Sequence, residues 1–354
     1  MLKRDFHIIG LMSGTSLDGV DLVYVRFNQG DRYTFEIQNA ITVSYEPEWR
    51  AKLTEAYANG QDLDILTKDY GAYLGGLINA FRKEYGISEV DFVASHGHTI
   101  FHKPDQGFTL QIGDGPTISE ATKLPVICDF RTQDVALGGQ GAPLVPIGDL
   151  LLFSTYDYCL NLGGFANVSF QEGPLRIAYD ICPVNIVLNS YAQRLGYPFD
   201  DKGQISRQGE LNTSLLEALN ALTFYSAKPP KSLGLEWVES EIIPILEETS
   251  IDDRDVLRTF TEHIAQQIGR QFTKEKASVL ITGGGAFNEF LLSRIRAYSK
   301  AEIHLPTSDV IEYKEAVVFA FLGLLKFHDR INVLKSVTGA SKDHAAGKIF
   351  SPIV

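Results

Sequence analysis

The stretch Ile8-Ile9-Gly10-Leu11-Met12-Ser13-Gly14-Thr15-Ser16-Leu17-Asp18-Gly19-Val20-Asp21 carries an apolar run into a turn of Gly, Ser, Thr and Asp. A second apolar run, Leu22 to Phe27, leaves the turn, so the stretch reads as strand, tight polar turn, strand. Gly14 and Gly19 have no Cβ, and the backbone there is expected to approach a bulky group closely. Ser13, Thr15 and Ser16 bring hydroxyls and backbone N–H groups into the same turn, a combination suited to the phosphates of a nucleotide. An ordinary β-hairpin turn is the alternative reading. The Gly14 to Gly19 spacing matches the start of a P-loop, but Val20 and Asp21 stand where Lys and Ser/Thr belong, and a strand follows where a helix should. A serine-hydrolase elbow is excluded because Asp18 stands two residues after Ser16, where that motif needs Gly.

Working outward, the chain has 354 residues, room for two domains at roughly 100–200 residues each. A hydrophobic content of 44% and a charged content of 21% fit a soluble globular protein. The net charge of −12 argues against nucleic acid as a partner and means that any phosphate site is built locally. Cys128, Cys159 and Cys182 are widely spaced in apolar runs with neither disulfide nor zinc spacing, which fits a reducing cytosol. No apolar run is long enough to span a bilayer and no signal peptide is visible, so the expectation is a cytoplasmic protein with no membrane association.

Apolar patterning predicts strands at 6–12, 20–27 and 33–45, helices after Pro47 and at 63–85, strands at 90–95 and 108–112, a short helix after Pro116, and a strand at 126–130. A Gly/Pro-rich segment, 137–146, is the candidate junction, with Gly138, Gly139 and Gly141 as hinge residues. The pattern then restarts. Strands are predicted at 158–162, 166–170 and 177–181 and helices at 184–195, 208–222, 236–247 and 253–272. A strand at 278–281, a helix from 289, a strand at 303–305, a helix at 314–327 and a final strand at 348–353 follow. Each half opens with three strands joined by tight turns and then alternates helix and strand, an α/β organisation with the ligand expected at strand C-terminal ends between the halves.

The second half has its own glycine turn, Asn161-Leu162-Gly163-Gly164-Phe165-Ala166-Asn167, and a third, Thr282-Gly283-Gly284-Gly285-Ala286-Phe287-Asn288, joins a strand to a helix. The third fails the dinucleotide fingerprint at its last position. Three such turns in this order suggest an actin-like ATPase or sugar-kinase arrangement, two hairpins gripping phosphates and the third turn holding the adenosine.

The sequence resembles the anhydro-N-acetylmuramic acid kinase family over essentially its whole length. The resemblance is carried by Gly10 to Asp21, Ser95-His96-Gly97-His98-Thr99, Leu110-Gln111-Ile112-Gly113-Asp114, Asp129-Phe130-Arg131, the run ALGGQGAPLVP from Ala136 to Pro146, and Asn161 to Asn167. Tyr179 to Asn185, Gly283 to Asn288, Glu315-Ala316 and Val337 to Ser341 add to it. It implies a two-domain actin-like (ribonuclease-H-like) ATPase fold with a central nucleotide cleft, ATP and Mg²⁺, and opening of a 1,6-anhydro sugar ring coupled to phosphorylation of O6. The domains are expected to be 1–130 with about 337–354, and 131–336.

An inverting glycosidic hydrolysis needs a base for water and an acid for the leaving oxygen. If the leaving O6 attacks the γ-phosphate, the phosphoryl group replaces that acid and one carboxylate suffices. The resemblance places that base at Asp180; a helix cap is the alternative. The segment departs from the family's DTGPGN form at Ile181, Cys182 and Val184. Nucleotide contacts are expected from Ser13, Gly14, Thr15, Ser16, Asp18, Gly19, Asn161, Gly163, Gly164, Asn167, Gly283, Gly284, Gly285 and Asn288. Asp18 is the candidate Mg²⁺ ligand through water, with turn capping as the alternative. Arg131 suits the lactyl carboxylate of a muramic acid, against an ion pair with Asp129 or Asp134. The resemblance makes Glu315 a sugar-hydroxyl acceptor, against a helix N-terminal charge role. His98 stands where many family members have Gln and is a candidate sugar contact, assisted by Thr99; a zinc site with His96 lacks a fourth ligand. Lys231-Ser232-Leu233-Gly234-Leu235-Glu236 matches a family loop but has Leu235 where Arg often stands. The long helices after it are core or a homodimer surface. Two other readings stay open: a kinase for another sugar or polyol, and a nucleotide-switched binding protein that needs neither Arg131 nor Asp180.

Overall fold

A computed structural model describes residues 4–14, 17–60, 62–248 and 250–353. In chain order it begins with β1 (Asp5–Ser13), β2 (Gly19–Gln29), β3 (Tyr33–Ser44), α1 (Pro47–Asn59), α2 (Leu63–Glu84), β4 (Phe92–Lys103), β5 (Phe108–Ile112), α3 (Gly115–Thr122), β6 (Val126–Cys128), α4 (Thr132–Ala136) and α5 (Pro146–Leu152). It continues with β7 (Tyr158–Leu162), β8 (Phe165–Glu172), β9 (Leu175–Pro183), α6 (Asn185–Arg194), α7 (Thr213–Asn220), α8 (Leu235–Trp237), α9 (Ile243–Glu247) and α10 (Asp253–Gly269). After these come β10 (Ser278–Thr282), α11 (Glu289–Tyr298), β11 (Glu302–His304), α12 (Ser308–Phe327), α13 (Lys335–Thr338) and β12 (Lys348–Phe350).

The chain forms two units, residues 1–152 with 313–354, and residues 153–312. The first unit's sheet has the order β12-β6-β4-β1-β2-β3, with β5 paired to β4; the second has β11-β10-β7-β8-β9. Both contain the same core: an antiparallel three-stranded meander whose first strand pairs in parallel with a later one, β1 with β4 and β7 with β10. This repeated order is the ribonuclease-H-like organisation expected of an actin-like ATPase.

Alternation along the strands explains the layering of the first unit. Ile8, Val23 and Val25 pack with Ala316, Val317, Phe319 and Ala320 of α12, whereas their neighbours Ile9, Leu22 and Tyr24 pack with Tyr70, Leu74 and Ile78 of α2. Successive side chains point to opposite faces, so a sheet covered on both sides needs apolar residues at every position, and the continuous run at the N-terminus supplies them. In the second unit, Leu160, Leu162, Val168 and Ile181 join Phe260, Ile264 and Ile268 of α10 in one core.

The units divide elsewhere than at the expected 130 and 337. Leu144, Ile147 and α12 residues 316–322 share one apolar core with β1 and β2, which keeps 131–152 and 313–336 with the first unit. The glycine-rich segment is likewise folded into that unit: Asp134 accepts the N–H of Gly141 at 2.7 Å, and Gln140 N–H donates to the Thr338 carbonyl at 2.8 Å. Strand β4 runs on through the His96–Thr99 motif, strand β6 ends at Cys128 instead of 130, and α12 begins at Ser308 instead of 314. The helix expected at 236–247 is interrupted by a π-helical turn, Val238–Ile242.

Candidate active site

In the second unit the structure brings two of the three glycine turns together. Strands β7 and β10 run in parallel with Asn161 opposite Thr282, so the turns that follow them emerge side by side at strand C-terminal ends. A Cβ on Gly283 would lie 2.6 Å from Asn161 Oδ1 and 2.8 Å from the Leu162 carbonyl; this glycine is required by the neighbouring turn. Gly164 and Gly284 are exposed, and a Cβ on either would meet nothing nearer than 3.9 Å. The start of α6 braces the second turn from below: Val184 N–H donates to the Gly164 carbonyl at 2.7 Å, Asn185 N–H to Gly163 at 3.2 Å, and Asn185 Nδ2 to Leu162 at 3.3 Å. Asn167 is exposed, while Asn288 is buried and caps α11 by accepting the Leu291 N–H at 2.9 Å.

Asp180 stands on β9 opposite Asn167, beside a bulge in the β8–β9 ladder. It therefore borders the second turn. Its carboxylate does not cap α6, whose N-cap Val184 makes no side-chain bond; Oδ2 instead accepts the Leu233 N–H at 2.8 Å. Burial pushes the Asp180 carboxyl above the usual carboxylate range, and the Leu233 N–H pulls in the other direction. The three departures from the family motif are core residues: Ile181, Cys182 and Val184 are each at most 1% exposed. Burial pushes the Cys182 thiol far up, so it is an inert apolar side chain.

In the first unit, Thr15 and Ser16 lie outside the described residues. Ser13 is buried, and its hydroxyl is engaged within the fold: it donates to the Gly97 carbonyl at 2.8 Å and accepts from Tyr70 at 3.0 Å. Tyr70 in turn meets the Tyr45 hydroxyl at 2.6 Å. A Cβ on Gly19 would lie 2.3 Å from the Val43 carbonyl, so the close approach at this glycine is made by β3 of the same sheet. Gly14 is half-buried and Asp18 is exposed.

Arg131 does not end a strand but precedes α4, and its side-chain hydrogen bonds go to neither expected carboxylate. Asp129 pairs with Lys348 at 2.7 Å, and Asp134 accepts from Gly141 N–H and the Thr338 hydroxyl. Arg131 Nε and Nη2 converge on His96 Nε2 at 3.0 and 2.9 Å, and Nη1 donates to the Gly141 carbonyl at 2.6 Å. A guanidinium has five N–H donors, so capacity for a carboxylate remains. Burial lowers the Arg131 pKa to about 10, opposed by Glu315 and Asp134. Glu315 is exposed and lies two turns inside α12, which removes the helix-terminus reading. Desolvation by the protein around it raises its carboxyl, against the pull of Arg131 and Lys314.

His98 is 3% exposed, and burial takes its pKa down to about 4, so it is neutral. Its Nδ1 is buried and meets no partner among the described residues. Thr99 accepts from Gln111 Nε2 at 3.3 Å. His96, set aside in the sequence with the zinc reading, is the residue that orients Arg131, and no spacing in the sequence signals that pairing. Among the described residues no group of three or more His, Cys, Asp or Glu could hold a metal ion.

The family model for anhydro-N-acetylmuramic acid kinase matches residues 6–352. An anhydro-N-acetylmuramic acid kinase from Acinetobacter baylyi is 35% identical over 376 residues, covering 97% of this chain and 98% of that protein. One from Xanthomonas oryzae pv. oryzae is 34% identical over 97% of this chain and 96% of its own length. Another from Shewanella woodyi is 33% identical over 99% of each. The chain, matched from end to end by model and relatives alike, belongs to the anhydro-N-acetylmuramic acid kinase family.

Proposed function

We propose that this kinase opens the 1,6-anhydro ring of anhydro-N-acetylmuramic acid by hydrolysis and phosphorylates O6 with ATP, giving N-acetylmuramic acid 6-phosphate for cell-wall recycling. The observation that carries the reading is the placement of Asp180: a half-buried carboxylate of raised pKa bordering a glycine turn that itself abuts the turn at Gly283.

In this reading Asp180 takes a proton from water as the water oxygen bonds to C1. The C1–O6 bond breaks, O6 bonds to the γ-phosphorus, and the bond from that phosphorus to ADP breaks. The backbone N–H of Gly164, where nothing of the chain crowds the turn, faces the phosphates; Gly14, Asn161, Gly163 and Asn167 complete that set, and the equally open Gly284 of the third turn lies against the adenosine. Asn288 acts by fixing the third turn, through its cap on α11. Arg131, held by His96, receives the lactyl carboxylate, and His98, Thr99 and Glu315 face sugar hydroxyls. Mg²⁺ takes few carboxylates and keeps several waters, and exposed Asp18 is a donor of that kind. Such an ion would neutralise charge on the transferring phosphoryl group.

A cytoplasmic setting and a homodimer are part of the same proposal. Among the described residues no helix is long and apolar enough to cross a membrane.

The test is purified protein with ATP, Mg²⁺ and 1,6-anhydro-N-acetylmuramic acid. The expected product is the 6-phosphate with the ring opened. Phosphorylation of hexoses only would favour another sugar kinase, and ATP hydrolysis indifferent to sugar a nucleotide-switched binding protein. Asp180→Asn is expected to lower turnover by about 10³-fold or more while ATP binding is kept; turnover near the parent's would remove the single-base mechanism.

A further inference from the structure

Asp180 is gripped by one loop from two sides. Its backbone N–H donates to the Lys231 carbonyl at 3.1 Å, and its Oδ2 accepts the Leu233 N–H at 2.8 Å. The same loop is tied down by its own lysine. Lys231 Nζ donates to the Phe224 carbonyl at 3.1 Å, and lies 4.5 Å from the centroid of the Phe224 ring and 5.9 Å from that of Tyr179. Phe224 packs against Tyr225 and Trp237, and Tyr225 meets His263 of α10 at 2.9 Å. A continuous set of contacts therefore runs from the core of this unit, through the ammonium of Lys231, to one oxygen of Asp180.

We propose that loop 229–234 is a clamp for Asp180 and that Lys231 is the positioning residue that keeps it closed. The proposal rests on the reading of Asp180 as the base. An aspartate side chain on a strand can still turn about its own single bonds; fixing Oδ2 on the Leu233 N–H leaves Oδ1 with one direction in which to hold a water. Lys231 acts through this geometry and touches neither reacting atom. Its ammonium is seated on a carbonyl and two aromatic rings, an anchor that loses its hold if either the charge or the Phe224 ring is removed.

The clamp has a signature that a merely structural loop would lack. An N–H donated to the charged form of a carboxylate holds its pKa down, so losing that bond raises the Asp180 pKa further. The titratable groups around Asp180 in this unit are Tyr179 and Cys182 on the same strand and Lys231 on the loop. Burial raises both Tyr179, to about 12, and Cys182, so neither titrates where a carboxylate does. Glu315 is the other raised carboxyl placed at the sugar, and it is unchanged in the loop variants, so the part of the acid limb of kcat/KM that moves with them reports Asp180.

The experiment compares Lys231→Met, Lys231→Arg and Phe224→Ala with the parent, using ATP and the anhydro sugar over pH 4–9. Thermal melting and ATP binding confirm that each variant is folded. Lys231→Met is expected to lower kcat by about tenfold or more and to move the acid limb up by about one pH unit, with KM for ATP little changed. Lys231→Arg, which keeps a cation and donors over the rings, restores most of the loss. Phe224→Ala keeps the charge, loosens its seat and moves the limb the same way by a smaller amount. The proposal is overturned if the limb does not move in Lys231→Met. It is also overturned if only Lys231→Met moves it, which would be a through-space charge effect, or if the change is confined to KM, which would be direct substrate contact. If Asp180→Asn itself retains turnover, the base assignment fails, and that outcome is separate from failure of the clamp.

Discussion

At the residue scale, Asp180 is held where it costs the fold something. A carboxyl raised by burial binds its proton more tightly in the folded than in the unfolded chain. Its contribution to stability is fully present below the ordinary carboxylate pKa and is lost as pH rises through the raised value. Asp180→Asn has no proton to lose and still accepts the Leu233 N–H, so it is expected to melt higher than the parent at pH 7–8 by about a degree or more. The difference should shrink towards zero near pH 4, as read by calorimetry across that range. A lower melting temperature at neutral pH would mean that the carboxylate is held by a cation. His96 shows the opposite sign: burial and the Arg131 charge push it well below the ordinary histidine range. Because two Arg131 N–H groups converge on Nε2, that nitrogen is the acceptor and Nδ1–H donates to the Gly97 carbonyl. The identities of Asp180 and Arg131 were legible as candidates from their motifs. Their partners, Leu233 and His96, lie 53 and 35 residues away, and nothing local encodes them.

At the element scale, the stretch that opens the chain is shaped as much by its own neighbours as by any ligand. Gly10 lies under α12: a Cβ there would come within 2.4 Å of the Ala316 carbonyl and 2.9 Å of the Ala320 Cβ. Gly10→Ala is expected to destabilise the protein by about 1–3 kcal/mol, measured by urea unfolding, because a helix backbone cannot yield as a side-chain tip does. Glu315 precedes the contacted residue, so the same variant should raise KM for the sugar. An unchanged KM would separate Glu315 from the substrate. Strands and long helices were legible here because their apolar periods are plain. The interruption at 238–242, the five-residue α4 and the true start of α12 were not, since short irregular turns leave no period to read.

At the scale of the whole molecule, each unit carries its own apolar core. The core of the second unit draws only on residues between Tyr158 and Ile311. A fragment of residues 153–312 is therefore expected to unfold cooperatively on its own, with a single sigmoidal melt by circular dichroism. A broad, featureless transition would show that its stability depends on the rest of the chain. The Gly/Pro-rich segment read as a junction is instead braced on Asp134 within the first unit, because glycine density marks tight backbone packing as readily as a hinge.

The sequence by itself determined the α/β class, the repeated meander, the family and the short set of polar residues at its turns, because periodicity and motif spacing are local properties of the chain. Only the tertiary structure decided that the turns at Gly163 and Gly283 lie side by side, that the Ser13 hydroxyl and the backbone at Gly19 are met by other parts of the chain, and that a loop whose Leu233 lies 53 residues on grips Asp180. Those outcomes depend on parallel strand pairing and on contacts between residues far apart in the chain, and no local pattern carries that information.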